Sequence, residues 1–305
     1  MTDKNLSPSM GMQKQATLQM AIAMTIFGTI GIFVRYIPLP SSIIALARGI
    51  IGTLFILLFS LLQKKKPDVT AIRKNLVLLA VSGLFIGANW ILLFEAYRYT
   101  TVATATLCYY LEPIFVFLLT PFVLKEKLTG KQIFCVLAAL LGMVFLSGIL
   151  QGEGIGAKDL KGILLGTSAA LLYACVILMN KFLKDISSFD RTLTQIGMAA
   201  ITILPYCLVT ESVSTLTFGG TTILLLLVVG ILNTGISYTL YFAAMKDLSA
   251  STTALFSYID PVVAIILSTV ILRETMGLYD CIGAVLILGS TLYYEFGDKI
   301  SFAKK

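Results

Sequence analysis

The sequence predicts an all-α integral membrane protein in which ten transmembrane helices form two inverted five-helix repeats. Three observations carry that expectation: an apolar composition, ten nearly uncharged runs of spanning length, and a gapless internal match at a fixed offset. Of the 305 residues, 57% are apolar and 13% charged, against roughly 45–50% and 25% in soluble domains.

The runs lie at about 17–37, 41–62, 76–98, 101–124, 130–150, 160–182, 192–210, 222–244, 249–272 and 277–296. A hydrocarbon core of about 30 Å needs about 20 helical residues, and several runs, such as Leu76 to Phe94 and Gln132 to Gly152, carry no charge at all. β-barrel alternation is absent, which leaves helices as the spanning structure. The first run is too long for a signal peptide and no small-residue cleavage site follows it, so it is expected to remain in the mature chain. The longest connections, Lys64 to Lys74 and Gln151 to Lys161, leave no room for a soluble catalytic domain.

Of the 23 Lys and Arg, an intracellular N-terminus puts seventeen on the cytoplasmic side and five (Arg35, Arg98, Lys158, Lys161 and Arg273) on the other, with Arg48 inside span two. The positive-inside bias therefore predicts a multi-pass protein of the cytoplasmic membrane with both termini cytoplasmic. The net charge of +7 reflects these short loop clusters rather than an extended basic patch, so nucleic acid is not an expected partner.

The absence of His removes imidazole metal ligation and the Ser-His-Asp arrangement. Cys108, Cys135, Cys175, Cys207 and Cys281 stand singly in apolar runs, as buried small hydrophobes would, with no metal or disulfide spacing. Gly152 to Gly156 lacks the strand context of a dinucleotide fingerprint, and Gly130-Lys131 lacks the rest of a phosphate loop. No cofactor, metal site or enzymatic activity is expected.

Tyr97 to Glu126 aligns with Met245 to Glu274 at an offset of 148 without gaps. Identities include Thr104/Thr252, Leu107/Leu255, Tyr110/Tyr258, Pro113/Pro261 and Glu126/Glu274, and chemistry is kept at Arg98/Lys246, Glu112/Asp260 and Lys125/Arg273. The expected division is 1–150 and 151–305, five spans each. Because five is odd, the two halves cross the membrane in opposite senses, the plan from which many secondary transporters are built, with substrate near the midplane.

The stretch Tyr-Leu-Glu-Pro-Ile-Phe at 110–115 leading into Leu-Lys-Glu-Lys-Leu-Thr at 124–129, with its echo Tyr-Ile-Asp-Pro-Val-Val at 258–263 leading into Leu-Arg-Glu-Thr at 272–275, resembles the drug/metabolite transporter superfamily, EamA type. The resemblance covers nearly the whole chain. It implies ten helices, a central cavity lined by spans one to four and six to nine, and export or exchange of small metabolites. Cys135 and Thr129 depart from their counterparts Gly283 and Gly277, so spans five and ten are expected to pack differently in the two halves.

Glu112 and Asp260 each lie about eleven residues, or roughly 16 Å, into their spans from opposite sides. Carboxyls at the bilayer centre mark an ion or substrate pathway. They are candidate amine ligands and proton carriers; the alternative is that each satisfies donors at a helix break. Pro113 and Pro261 each remove a mid-span hydrogen bond and free carbonyls near Tyr109 and Ser257, making hinges or static kinks.

Trp90, Tyr109, Tyr110, Tyr238 and Tyr258 flank the same depth and could cage an ammonium group. Asn89 is a candidate substrate contact, and Asn233 reads better as a helix-to-helix bond. The depths of Arg48 and Glu95 permit a pair, either a gate or a permanent bridge, whereas Arg35 and Lys181 near span ends are expected to snorkel. Gly83/Gly87 and Gly162/Gly166 allow close helix approach.

The resulting expectation is a secondary transporter that moves a small polar metabolite, amino-acid-like or amine-containing, by alternating access, with outward movement implied by the resemblance. Its partners are that solute, the lipid bilayer and protons as a coupling ion; oligomeric state is open. The rival readings are an organic or quaternary cation carrier and, against the short loops, an intramembrane enzyme on lipid substrates.

Overall fold

The computed structural model describes residues 10–125, 127–146, 150, 157–212, 216–245, 247–248, 253 and 256–302. Among these, all regular structure is helical. Seven helices are long and apolar enough to cross a membrane: Met12–Tyr36, Ser41–Leu62, Leu76–Tyr99, Val102–Val123, Asp159–Asn180, Ser188–Thr210 and Gly220–Met245. Shorter apolar helices, Gly130–Leu146, Ile259–Val270 and Leu278–Tyr294, stand where spans five, nine and ten are expected. Glu126, Thr252 and Leu255 of the repeat, like the Gly152 to Gly156 run, lie outside the described residues.

The surface is apolar, with Leu54, Leu58, Val77, Phe122, Val209 and Val285 all well exposed, while Ser82, Asn89, Thr106, Asn233, Thr234 and Ser268 are buried. Polar groups inside and hydrocarbon outside is the pattern of a bundle whose solvent is lipid. Cys108, Cys135 and Cys207 are buried as expected, but Cys175 is only half-buried and Cys281 is exposed, because its position on span ten turns toward the bundle surface.

Helix contacts repeat when the halves are exchanged. Span three packs on span six as span eight packs on span one, and span three meets span seven as span eight meets span two. Span four lies on span six as span nine lies on span one, while spans two and seven, four and nine, and five and ten pair across the axis. The backbone carries the same echo: Lys125 and Arg273, 148 residues apart, both adopt the left-handed region at φ 57° and 56°, which non-glycine residues seldom enter.

At the starts of spans five and ten the two halves share one cap and differ in another. The Gln132 side chain accepts from the Thr129 backbone N–H at 2.8 Å, as Asp280 does from Gly277 at 2.8 Å. The reciprocal bond, Gln132 N–H to the Thr129 hydroxyl at 3.3 Å, completes a capping box only in the first half, since Gly277 has no hydroxyl to offer. Spans five and ten then cross at Gly142 and Gly283, where a Cβ on either residue would come within 2.9 Å or 2.8 Å of the other's carbonyl oxygen. Gly283→Leu is expected to cost about 1–3 kcal/mol through overpacking, seen as a lower thermal midpoint of the detergent-purified protein.

Three irregularities shape the interior. Span one breaks at Thr29, between the helices Met10–Gly28 and Ile30–Tyr36. Span four breaks at Tyr110 and Leu111, between Val102–Tyr109 and Glu112–Val123. Span eight widens into a π-helical stretch, Val228–Ile236, before resuming as Ser237–Met245. Such wide turns concentrate at functional sites.

Candidate functional site

Glu112 and Asp260 each occupy the first turn of a half-helix that starts in mid-span, at Glu112 and at Ile259. A helix N-terminus presents unpaired N–H groups and a partial positive charge, so a carboxylate there is stabilised. The proline one residue later needs no N–H bond at that position, which lets the helix restart with the acid facing inward. The carbonyl of Ser257, four residues before Pro261, accepts a hydrogen bond from the Tyr110 hydroxyl of the other half at 3.1 Å.

Tyr110 and Tyr258 meet close to the pseudo-twofold axis with ring centroids 6.5 Å apart. Tyr109 packs on Tyr110 at 6.3 Å and on Tyr173 of span six at 5.8 Å. On the other flank Tyr238 contacts Phe27 of span one at 5.0 Å and Phe242 at 5.9 Å. The Tyr110 hydroxyl lies beside the Asp260 carboxyl, and Glu112 lies within electrostatic reach of Tyr109, Tyr110 and Tyr173. These tyrosines and both acids stay only half-buried although they sit deep in their spans and touch one another. Side chains with that combination line an internal crevice.

Trp90 stands at the edge of this cluster, 5% exposed, and therefore inside the bundle rather than toward lipid. Its ring carries the Arg48 guanidinium at 4.3 Å, with Phe94 at 5.8 Å. Trp90 and Tyr238 are 148 residues apart, so the two aromatic anchors hold equivalent places in the two halves. Arg48 also donates from Nε to the Thr234 hydroxyl in the π-helical stretch at 3.0 Å. Gly52 permits that reach, since a Cβ there would lie 2.4 Å from Thr234.

Arg48 and Glu95 are not brought together. Among the described residues they form no ion pair, because Arg48 lies about two turns inside span two with its side chain on the Trp90 side. Glu95, nearer its span end, instead accepts from Ser41 at 2.6 Å and pairs with Arg98 at 3.7 Å. Asn89 is fully buried; its amide donates to the Ala169 carbonyl of span six at 2.5 Å, while its Oδ1 has no hydrogen-bond partner among the described residues. Asn233 does the same in the other half, donating to the Ile26 carbonyl at 2.5 Å and the Thr29 hydroxyl at 2.8 Å, where span one breaks. The amide nitrogens of both asparagines tie helix to helix.

Arg35, exposed in the last turn of its span, does more than snorkel. It reaches across the face opposite the N-terminus, donating to the carbonyls of Tyr97 and Thr100 and pairing with Glu274 at 3.9 Å. Glu274 in turn accepts from the Val102 backbone N–H, at the start of span four, at 2.9 Å. Around this knot Arg98 donates to the Leu39 carbonyl at 2.6 Å, and Ser42 bonds Glu211 across spans two and seven. The far ends of the two halves are thus tied. Glu274 was visible in the repeat, but its partner lies some 240 residues earlier, and no local signal joins them.

The close approaches expected at small residues are present. Gly83 and Gly87 sit against Met198 and Ile203 of span seven, and Gly162 and Gly166 against Thr100 and Cys108 beside and within span four. Among the described residues no cluster of metal-ligating side chains occurs.

The chain matches the EamA-like transporter family over residues 15–148 and again over 160–294. It is 30% identical over 282 residues to the uncharacterized transporter YxxF of Bacillus subtilis, covering 92% of this chain and 90% of that one. It is 28% identical over 208 residues to a probable amino-acid metabolite efflux pump of Salmonella typhimurium, covering 64% and 68% of the two chains. A solved crystal structure superposes with a TM-score of 0.62 at 20% identity, over 91% of this chain and 95% of that one, which shows a shared fold.

Proposed function

Since the chain belongs to the EamA-like transporter family, we propose that it carries a small, amine-bearing polar metabolite of the amino-acid kind by alternating access between its two halves. The observation that supports this most is the pair of mid-span carboxyls, one from each half, set at helix restarts among tyrosines. An ammonium group entering the crevice meets Asp260 and Glu112 as counter-charges and the tyrosine faces as cation–π partners. Pro113 and Pro261 act as the hinges about which the half-helices adjust.

The two repeats divide near residue 150, as 1–150 and 151–305, and rock about the crossing of spans five and ten. The chain sits in the cytoplasmic membrane with both termini cytoplasmic. Outward movement is favoured by the name of the Salmonella relative. Protons exchange for substrate at the two acids, which take up a proton when the ammonium leaves.

Counterflow in proteoliposomes holding the full chain, with labelled amino acids, amines, nucleosides and sugars, tests the proposal. Exchange of an ammonium-bearing solute, accelerated by an opposing pH gradient, is the expected result. Exchange confined to nucleosides or sugars overturns the amine reading, and indifference to the gradient removes the proton role.

A further inference from the structure

We infer that Arg48 is the second anchor of the substrate site and binds a carboxylate, so that the solute carried is a zwitterion rather than a simple organic cation. The inference rests on the amine-carrier reading and adds to it the opposite end of the substrate.

A guanidinium in the middle of a membrane bundle is costly unless its charge and its five donors are met. In this protein the arginines on the far face are met in the ordinary way: Arg35 by backbone carbonyls and Glu274, Arg98 by the Leu39 carbonyl and Glu95. Arg48, only 6% exposed, is treated differently. Its plate is held by the Trp90 and Phe94 faces, at 4.3 and 5.8 Å, and its Nε by Thr234. The Thr234 hydroxyl proton is committed to the Val229 carbonyl at 3.0 Å, so the hydroxyl oxygen is oriented to accept from Nε. Among the described residues the two terminal nitrogens have no hydrogen-bond partner, and no carboxylate lies within ion-pair distance of them.

The guanidinium is therefore fixed in orientation by everything except the fork that it presents. That fork matches a carboxylate in bidentate fashion, and aromatic stacking leaves it free to do so. Asp260, Tyr109 and Tyr238 lie within electrostatic reach of Arg48, without direct pairing. A separated cation and anion facing one crevice suit a solute with the complementary charges at its two ends. A simple cation would have to approach Asp260 against the field of Arg48, which weakens it as a rival.

Trp90 is the sole tryptophan and stacks on Arg48, so its emission reports on this anchor. The purified full chain is titrated with the common amino acids, with their amides, which keep the ammonium and lose the carboxylate, and with their N-acetyl derivatives, which do the reverse. An amino acid that perturbs Trp90 emission, with its amide on the order of 10- to 100-fold weaker, is the expected result, from the worth of hydrogen bonds to a charged group. Arg48→Lys is expected to lose most of that discrimination, and Arg48→Gln all of it. Amides that bind as tightly as the free amino acids overturn the role of Arg48 while leaving an amine carrier intact. N-acetyl derivatives that bind as tightly overturn the role of the two acids and leave Arg48 in place. Silence from all three series, with no counterflow, overturns both.

Discussion

Asp260→Asn and Glu112→Gln are each expected to slow substrate exchange in proteoliposomes by about 30-fold or more, the cost of removing one partner from a desolvated charge pair. Both substitutions keep shape and hydrogen-bonding capacity, so the detergent-purified variants are expected to migrate and melt as the parent does. Asp260→Asn is expected to be the more severe, because that carboxyl also lies beside Tyr110, whose hydroxyl closes the break in span nine. The double variant is not expected to sum the single losses, since two groups that hold one ligand act as a unit. Normal exchange by both single variants would remove the acids from the site.

The second large effect concerns the far-face knot. Arg35 lies in span one and Glu274 in the connection that follows span nine, and they hold the end of span three and the start of span four. On the proposed alternating-access cycle, that tie opens once per turnover. Cysteines at Arg35 and Thr100, in a background without the five native cysteines, are expected to support exchange until joined by a short bifunctional thiol reagent. Joining them is expected to abolish exchange, with recovery on cleavage of the bridge. Undiminished exchange by the bridged protein would show that the knot is permanent structure.

Much of this architecture was legible in the sequence because a bilayer imposes a simple rule on composition. Uncharged runs of the required length stood out, and Glu112 and Asp260 stood out within them as acids next to proline. The acids could be placed in depth by counting residues. Direction around the helix is another matter, and there the reading of Arg48 went astray: its depth was compatible with Glu95, but its face is set by Gly52 and Thr234, on how closely spans two and eight approach. The partner of Arg35 is not legible for the related reason that it lies in the other half of the chain. Asn89 was polar and deep, yet a buried amide serves a helix contact as readily as a ligand. Tyr173, Phe27 and Phe242, which complete the aromatic cluster, carried no signal beyond their residue type.

The wide turn in span eight has a consequence for how the two repeats can diverge. A π-helical stretch accommodates one residue more than an α-helix would over the same rise. Here that surplus sits between Gly220–Leu227 and the segment bearing Tyr238 and Tyr241. Deleting a single residue from Val228–Ile236 would let the helix relax to its regular pitch while the segments on either side keep their faces. Tyr238 would stay against Phe27, but Thr234, inside the wide turn, would lose Arg48, with no change in hydrophobicity to betray the rearrangement. In this bundle, selectivity is vulnerable to the count of residues as well as to their chemistry.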